Sequence, residues 1–346
     1  MREKMTYKVV QTVDYSLTPD QEAYRQLGAE RIVRICASEE DFQRECLDAD
    51  AIIVSGMTSL NSDIIRQLQR CRIIAVIGIG YQVDVDAATR KGICVVNVPE
   101  YCLEEVSDHT MALLLSCARK LSQLTMAVAN GHWSSFQRAE IRNNIWPGIR
   151  RLRGATLGLI GFGNIAQRVV PKALGFGMNV MAYSPSLNSE MAQKYNVSSC
   201  DLDNLIKTSD YISLHCPLNK NTFHLINSSR LDQMKSGVVL INTARGGLID
   251  EPALCEALKS GKVGSAGLDV LVSEPPDINN RLFRFPQVIV TAHSAHYSDT
   301  SACELRKSPD QSICELLSGC RPAHLVNLAV AEIYQQKWGK WCDCSR

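Results

Sequence analysis

Between residues 7 and 96 short apolar runs alternate with segments whose apolar positions recur at helical spacing. The runs predict strands at Tyr7 to Val13, Arg31 to Cys36, Ala51 to Ser55, Ile73 to Ile77 and Ile93 to Val96. The segments between them predict helices at Pro19 to Leu27, Glu39 to Leu47, Asn61 to Leu68 and Val85 to Lys91. Strands and helices in strict alternation build a parallel sheet covered by helices.

A long helical signal follows from about Glu104 to Asn130, apolar over much of its circumference. Such a helix is expected to be buried between domains or between subunits. His109 sits on it and is read as a hydrogen-bonded core residue rather than a catalyst. The polar, Trp-containing stretch from Gly131 to Arg153 reads as a connection.

The pattern then resumes with one complete strand, turn, helix and strand between Ala155 and Pro185. An apolar run, Leu157 to Ile160, ends in Gly161-Phe162-Gly163-Asn164-Ile165-Ala166; a helix reaches Gly177, and a second run spans Met178 to Tyr183. In a dinucleotide-binding unit the first glycine makes the turn, the second lets backbone approach a pyrophosphate, and the third position needs a small residue, here Ala166. The pyrophosphate would rest on the helix N-terminus. Two details depart from that pattern. Ser184 stands at the strand end where an acidic residue would hold the ribose, and Pro171 should kink the helix or mark its end. Further strands are predicted at Tyr211 to His215, Val238 to Asn242, Ala266 to Val270 and Val288 to Thr291, then a helix from Ser298 to Leu317 and an extended return from Gly319 to Asn327.

At 346 residues the chain has room for two domains, each with its own core. Its 37 Lys and Arg balance 36 Asp and Glu, so no global field favours nucleic acid or an anionic membrane. No apolar run spans a bilayer, and MREKMTYKVV runs into a strand without a signal-peptide core. Fourteen cysteines are scattered singly, which suits buried thiols in a reducing cytoplasm better than a disulfide scaffold. The exception is Cys342-Asp-Cys344, a weak candidate for metal binding; no metal site is expected.

Strand ends are where open α/β sheets meet ligands, and several carry suitable chemistry. In the first half these are Ser55-Gly56-Met57-Thr58 and Gly78-Ile79-Gly80-Tyr81. In the second half Asn242-Thr243-Ala244-Arg245-Gly246-Gly247 offers a guanidinium for a carboxylate and an adjacent carbonyl. Asp269 ends the next strand, Glu274 follows in a loop, and Thr291-Ala292-His293-Ser294-Ala295-His296 ends the last. A histidine beside a carboxylate is a usual general acid at neutral pH.

On these stretches the chain resembles the D-isomer-specific 2-hydroxyacid dehydrogenases, most of all their branch of C-terminal binding proteins and bacterial relatives. The resemblance covers about residues 7 to 327, through GIGYQVDVDAATRKGICVVNVPEYCLEEVSDHT, LRGATLGLIGFGNIAQRV, SLHCPLNKNTFHLIN, INTARGGLIDEPAL, AGLDVLVSEPP and AHSAHYS. It implies two doubly wound parallel-sheet domains with a cleft between them. Residues 1–104 with 298–346 would form a flavodoxin-like substrate domain, and 105–297 a Rossmann dinucleotide-binding domain.

The resemblance further implies that Arg245 binds a 2-oxo acid, His293 is the acid/base and Glu274 its partner. Ser55, Gly56, Ile79 and Gly80 would join Arg245 around the substrate. Backbone from Gly161 through Phe162, Gly163 and Asn164 to Ile165 would hold the pyrophosphate, with Ser184 at the ribose. Cys216, Pro217 and Thr222 would line the adenosine side, and Thr243, Ala244, Asp269, His293 and His296 the remainder of the cofactor. NAD is the expected cofactor, with NADP left open because Ser184 removes the charge that rejects a 2′-phosphate. The loop from Gly80 to Asp84 is one residue shorter than the family's usual form, Ala292 replaces a common Pro, and His296 stands where the C-terminal binding proteins carry Trp.

The expected activity is hydride transfer between a nicotinamide and a small 2-oxo or 2-hydroxy acid, in a cytoplasmic homodimer built across the long helix. The alternatives are an NADH-sensing, corepressor-like binding protein and a formate or phosphite dehydrogenase on the same scaffold.

Overall fold

The computed structural model describes residues 7–14, 21–133 and 141–342, and the chain divides into two compact units, 1–101 with 298–346 and 102–297. The start of the helix expected from Pro19, residues 134–140 of the polar connection, and Cys344 lie outside the described residues.

In the first unit the chain runs β1 (Tyr7–Gln11), α1 (Gln21–Gln26), β2 (Ala29–Val33), α2 (Glu39–Cys46), β3 (Ala51–Ser55), β4 (Ser59–Leu60), α3 (Ser62–Gln67), β5 (Ile73–Ile77), β6 (Gln82–Val83), α4 (Val85–Lys91) and β7 (Cys94–Val96). Its five-stranded parallel sheet has the order β2-β1-β3-β5-β7, and β4 pairs with β6 apart from it. With that short pair set aside, this is the 2-1-3-4-5 order of flavodoxin-like sheets. β3 and β5 are buried almost end to end, which is why they read as unbroken apolar runs. Helix starts are fixed locally: Ser38 and Asp41 form a capping box on α2, and the side chains of Asn61 and Asp84 accept first-turn amides of α3 and α4.

The second unit begins with α5 (Leu103–Arg119) and α6 (Leu121–Ala129). It continues through β8 (Thr156–Ile160), α7 (Asn164–Gly175), β9 (Asn179–Tyr183), α8 (Ser189–Tyr195), β10 (Ser198–Ser199), α9 (Leu202–Thr208), β11 (Tyr211–Leu214), α10 (Ser228–Gln233), β12 (Val238–Asn242), α11 (Glu251–Lys259), β13 (Val263–Leu268) and β14 (Val288–Val290). The seven-stranded parallel sheet is ordered β10-β9-β8-β11-β12-β13-β14, so strand order reverses between β8 and β11. One apolar layer joins Ile212, Leu214, Leu240 and Leu254, and the other joins Leu159, Ala166, Val169 and Ile241.

Three expectations are corrected here. The long helix is broken at Lys120, whose φ of 56° is left-handed, and whose ammonium donates to Gly264 O (3.0 Å) and Ser265 Oγ (2.6 Å). α5 also packs Met111, Leu113, Leu114 and Cys117 inside the second unit, against α7, β12 and β13. Of the two outcomes expected of Pro171, an end to the helix does not occur: α7 runs on to Gly175, with the proline on the exposed face, where the carbonyl that loses its donor can meet water.

The chain then returns to the first unit as α12 (Asp299–Leu317) and α13 (Val330–Trp338), the latter not foreseen. Ile313, Leu316, Val330 and Tyr334 cover Val9, Ile53, Ala75 and Ile77, each fully buried side chain contributing about 1.5–3 kcal/mol. The stretch between the helices pairs with β7: Val326 N donates to Val95 O (2.8 Å), and Asn327 Oδ1 accepts Val95 N (2.8 Å). Tyr24 donates its hydroxyl to the buried Asp310 carboxylate (2.7 Å), and Arg31 Nε stands 3.2 Å from the same oxygen.

Cys320 is disulfide-bonded, so the expectation of thiols throughout does not hold there. No described helix is long and apolar enough to cross a membrane.

Candidate active site

The turn after β8 explains its glycines. Gly161 has φ +96°, and a Cβ there would lie 2.6 Å from His215 C and O and from Cys216 N, so only glycine lets β8 and β11 approach at the point of strand reversal. Gly163 caps α7 without any side-chain bond, and a Cβ added to it would meet nothing within 4 Å. A helix N-terminus with unsatisfied amides and open space above it fits a pyrophosphate. Asn164 and Ile165 begin the helix, Ala166 is fully buried, and the Phe162 ring turns into the core, edge-on to Tyr195 at 5.6 Å.

At the end of β9, Ser184 Oγ lies 3.0 Å from Ser186 Oγ, and no carboxylate follows in the strand-end sequence Ser184-Pro185-Ser186-Leu187-Asn188. After β11, Thr222 Oγ1 donates to Pro217 O (2.6 Å) and accepts from Asn219 N (2.8 Å), closing the loop that carries Cys216 and Pro217. The His215 ring is held by Ser213 Oγ at 2.9 Å, and burial pushes its pKa down to about 4.

The ends of β12, β13 and β14 lie side by side. Buried Asn242 ties the first loop, its amide donating to Arg245 O (2.9 Å) and its oxygen accepting Ala244 N (3.0 Å), while Thr243 shares a hydroxyl contact with Thr110 (2.8 Å). Arg245 is exposed, with Nη1 on Ala244 O (2.7 Å). Gly246 presses on the second loop: a Cβ there would sit 2.0 Å from Leu271 C. Leu271 N donates to Glu274 Oε1 (3.0 Å), and Glu274 Oε2 meets His293 Nδ1 at 2.6 Å. A carboxylate accepts from Nδ1–H, which leaves Nε2 as the ring's working nitrogen. The sequence had singled out both residues, and the fold brings them into contact. No hydrogen bond or ion pair joins Arg245 to either among the described residues. The His296 ring stands edge-on to His293 at 6.3 Å.

His293 is a non-glycine residue at φ +50°, and Asp269 holds it there. Asp269 O accepts His293 N (2.8 Å), and its buried carboxylate accepts Ser294 N (2.9 Å), Ala295 N (3.1 Å) and the Thr291 hydroxyl (2.5 Å). His109 Nε2 is 2.9 Å from Thr291 Oγ1. Residues 109 and 291 are 182 positions apart, and nothing in their spacing foretold the contact. A cavity of about 620 Å³ opens beside the dyad, lined by Leu271, Glu274, Leu282, Phe283, Val290 and His293.

In the first unit the loops after β3 and β5 touch: Gly56 N donates to Ile77 O (3.2 Å), and a Cβ on Gly56 would lie 2.4 Å from Gly80 O. Ser55 Oγ accepts Met57 N (3.0 Å), and Ile79 O accepts the Asn97 amide (2.8 Å). No group of three or more His, Cys, Asp or Glu suited to a metal occurs among the described residues.

The model of one protein family, D-isomer specific 2-hydroxyacid dehydrogenase, NAD binding domain, matches residues 111–295, a span that contains the Gly161 turn, Asp269, Glu274 and His293. The chain belongs to that family. Among curated dehydrogenases of this kind it is similar to the D-3-phosphoglycerate dehydrogenase of Archaeoglobus fulgidus, 35% identical over 309 residues, 89% of this chain and 57% of that protein. It is 42% identical to the hydroxypyruvate reductase of Thermotoga maritima over 250 residues, 71% of this chain and 78% of that one. The chain thus spans little more than half the length of the phosphoglycerate dehydrogenases it matches. Among solved structures, D-lactate dehydrogenase from Aquifex aeolicus, complexed with NAD and lactic acid, superposes with a TM-score of 0.76 at 30% identity, covering 94% of this chain and 97% of that one. In this dehydrogenase family, then, the stretch from 111 to 295 is an NAD binding domain.

Proposed function

We propose that the chain interconverts small 2-oxo acids and D-2-hydroxy acids with NAD, using His293 as acid/base, Glu274 as its partner and Arg245 as the ligand for the acid. One observation carries this reading: the 2.6 Å bond between His293 Nδ1 and Glu274 Oε2 at the carboxyl edge of an NAD binding domain. NADH, when bound, supplies a hydride to the keto carbon. The chain supplies the rest: His293 Nε2 gives its proton to the carbonyl oxygen, which takes up the π-bond electrons. Glu274 offsets the charge on the ring before that transfer. Arg245 binds the carboxylate and favours the charge growing on the oxygen. In the oxidative direction His293 takes the hydroxyl proton.

In this reading the Gly161–Ile165 turn holds the pyrophosphate, Ser184 faces the ribose, and Cys216, Pro217, Thr222, Thr243, Ala244, Asp269 and His296 complete the cofactor site. The first unit binds substrate through Ser55, Gly56, Ile79 and Gly80. NAD is the preferred dinucleotide, and the uncharged Ser184 lets NADP enter as well. We also assign a homodimer, supported by Leu121, Met126 and Val128 exposed on α6 with Trp133 beyond them. Buried thiols such as Cys71 and Cys117, pushed up to about 12 by burial, suit a cytoplasmic setting.

The test is turnover of a panel of 2-oxo acids by the wild type and by His293→Ala. The variant is expected to lose at least about 100-fold in kcat while NADH fluorescence titrations stay unchanged; an unchanged kcat contradicts the assignment. Tight NADH binding without any turnover favours the NADH-sensing alternative, and oxidation of formate or phosphite alone favours the third.

A further inference from the structure

We propose that His109, on α5, is a positioning residue for His293, acting through Thr291 and Asp269; the proposal rests on the reading of His293 as the acid/base. The chain of contacts fixes its own proton directions. Asp269 accepts two backbone amides with its two carboxylate oxygens, and the Thr291 hydroxyl approaches Oδ1 at 2.5 Å. A carboxylate can only accept, so the single hydroxyl proton of Thr291 points at Asp269. The Thr291 oxygen, 2.9 Å from His109 Nε2, must then accept, and His109 carries its proton on Nε2.

The consequence reaches the catalytic turn. His293 occupies the left-handed region at φ +50°, a conformation unfavourable for a residue with a Cβ. The turn is held by Asp269 from both sides: its carbonyl takes His293 N and its carboxylate takes Ser294 N and Ala295 N. Asp269 is 2% exposed, and His109 Nε2 stands 3.6 Å from its Oδ1, so the His109 donor is the link that ties this buried anchor to a long helix. Without it the Thr291 oxygen loses the donor that polarises its hydroxyl toward Asp269, and the bond to the anchor weakens.

The experiment compares His109→Leu, which removes the donor, with His109→Gln, whose amide nitrogen reaches the same place. For each, kcat, KM for a 2-oxo acid, NADH affinity and Tm are measured, together with hydrogen exchange of the Ser294 and Ala295 amides. His109→Leu is expected to lower kcat roughly tenfold and to speed exchange at both amides by a similar factor, with KM and NADH affinity unchanged. His109→Gln is expected to restore both. Equal kcat and equal exchange in His109→Leu overturn the proposal, as does a Leu variant that Gln fails to rescue at unchanged Tm. If the wild type turns over no 2-oxo acid, the functional reading falls by itself, while amide exchange still decides whether His109 holds the turn.

Discussion

Replacing Gly246 by Ala is a small change placed against an unyielding neighbour. The added Cβ would stand 2.0 Å from Leu271 C, 2.1 Å from its oxygen and 2.4 Å from Val272 N, all backbone atoms. Ordinary contact begins near 3.4 Å, so one loop must retreat by more than 1 Å. The displaced peptide carries Val272 N, which donates to Glu251 Oε1, and adjoins Leu271 N, which donates to Glu274 Oε1. Overpacking of this kind costs about 1–3 kcal/mol, and loosening a bond to a carboxylate adds about 1.5–3 kcal/mol. A misplacement near 1 Å at a catalytic group is worth roughly 100-fold in rate. Gly246→Ala is therefore expected to lower Tm and to cut kcat by about two orders of magnitude with NADH affinity kept. Gly163→Ala is the control with the opposite signature. Its Cβ meets no protein atom, so Tm should hold while NADH binding weakens. A Gly246→Ala enzyme with wild-type kcat and Tm would refute the claim that this contact sets the position of Glu274.

Two further outcomes follow from single residues. His215 takes its proton at about 4 in the fold against 6.5 when unfolded, so between those values the unfolded chain binds more protons and stability is lost as pH falls. The loss is at most about 3 kcal/mol, since part of the residue remains accessible, and urea titrations of His215→Gln should be flatter from pH 6.5 to 4 than those of the wild type. Ser184→Asp should lower kcat/KM for NADPH relative to NADH more than about tenfold, because a carboxylate at that strand end repels a 2′-phosphate; an unchanged ratio would mean that residue 184 does not face the ribose.

Where burial on both faces dictates composition, the sequence could be read almost to the residue: β3, β5 and β12 begin and end where their apolar runs do. The pairing of His293 with Glu274 was legible only through the family resemblance: the strand pattern put His293 just beyond a strand, where parallel sheets gather their ends along one edge, but left Glu274 in a loop six residues past β13. The break at Lys120 was not, because the apolar pattern runs through it and its cause is tertiary, the ammonium's two acceptors lying on β13. α13 had a signal that went unused, Val330, Tyr334 and Trp338 at four-residue spacing. The His109 contact had none, since no local pattern encodes a partner on a distant strand.

The interrupted first unit has a bearing on how the polypeptide is made. As the chain leaves the ribosome, β1 to β7 emerge with one face of their sheet uncovered, because its lid of Ile313, Leu316, Val330 and Tyr334 is translated only after the whole second unit. The second unit, continuous from 102 to 297, can complete its core first. The nascent chain therefore carries a greasy, unfinished sheet until α12 and α13 have emerged, and that interval is where a chaperone would matter most.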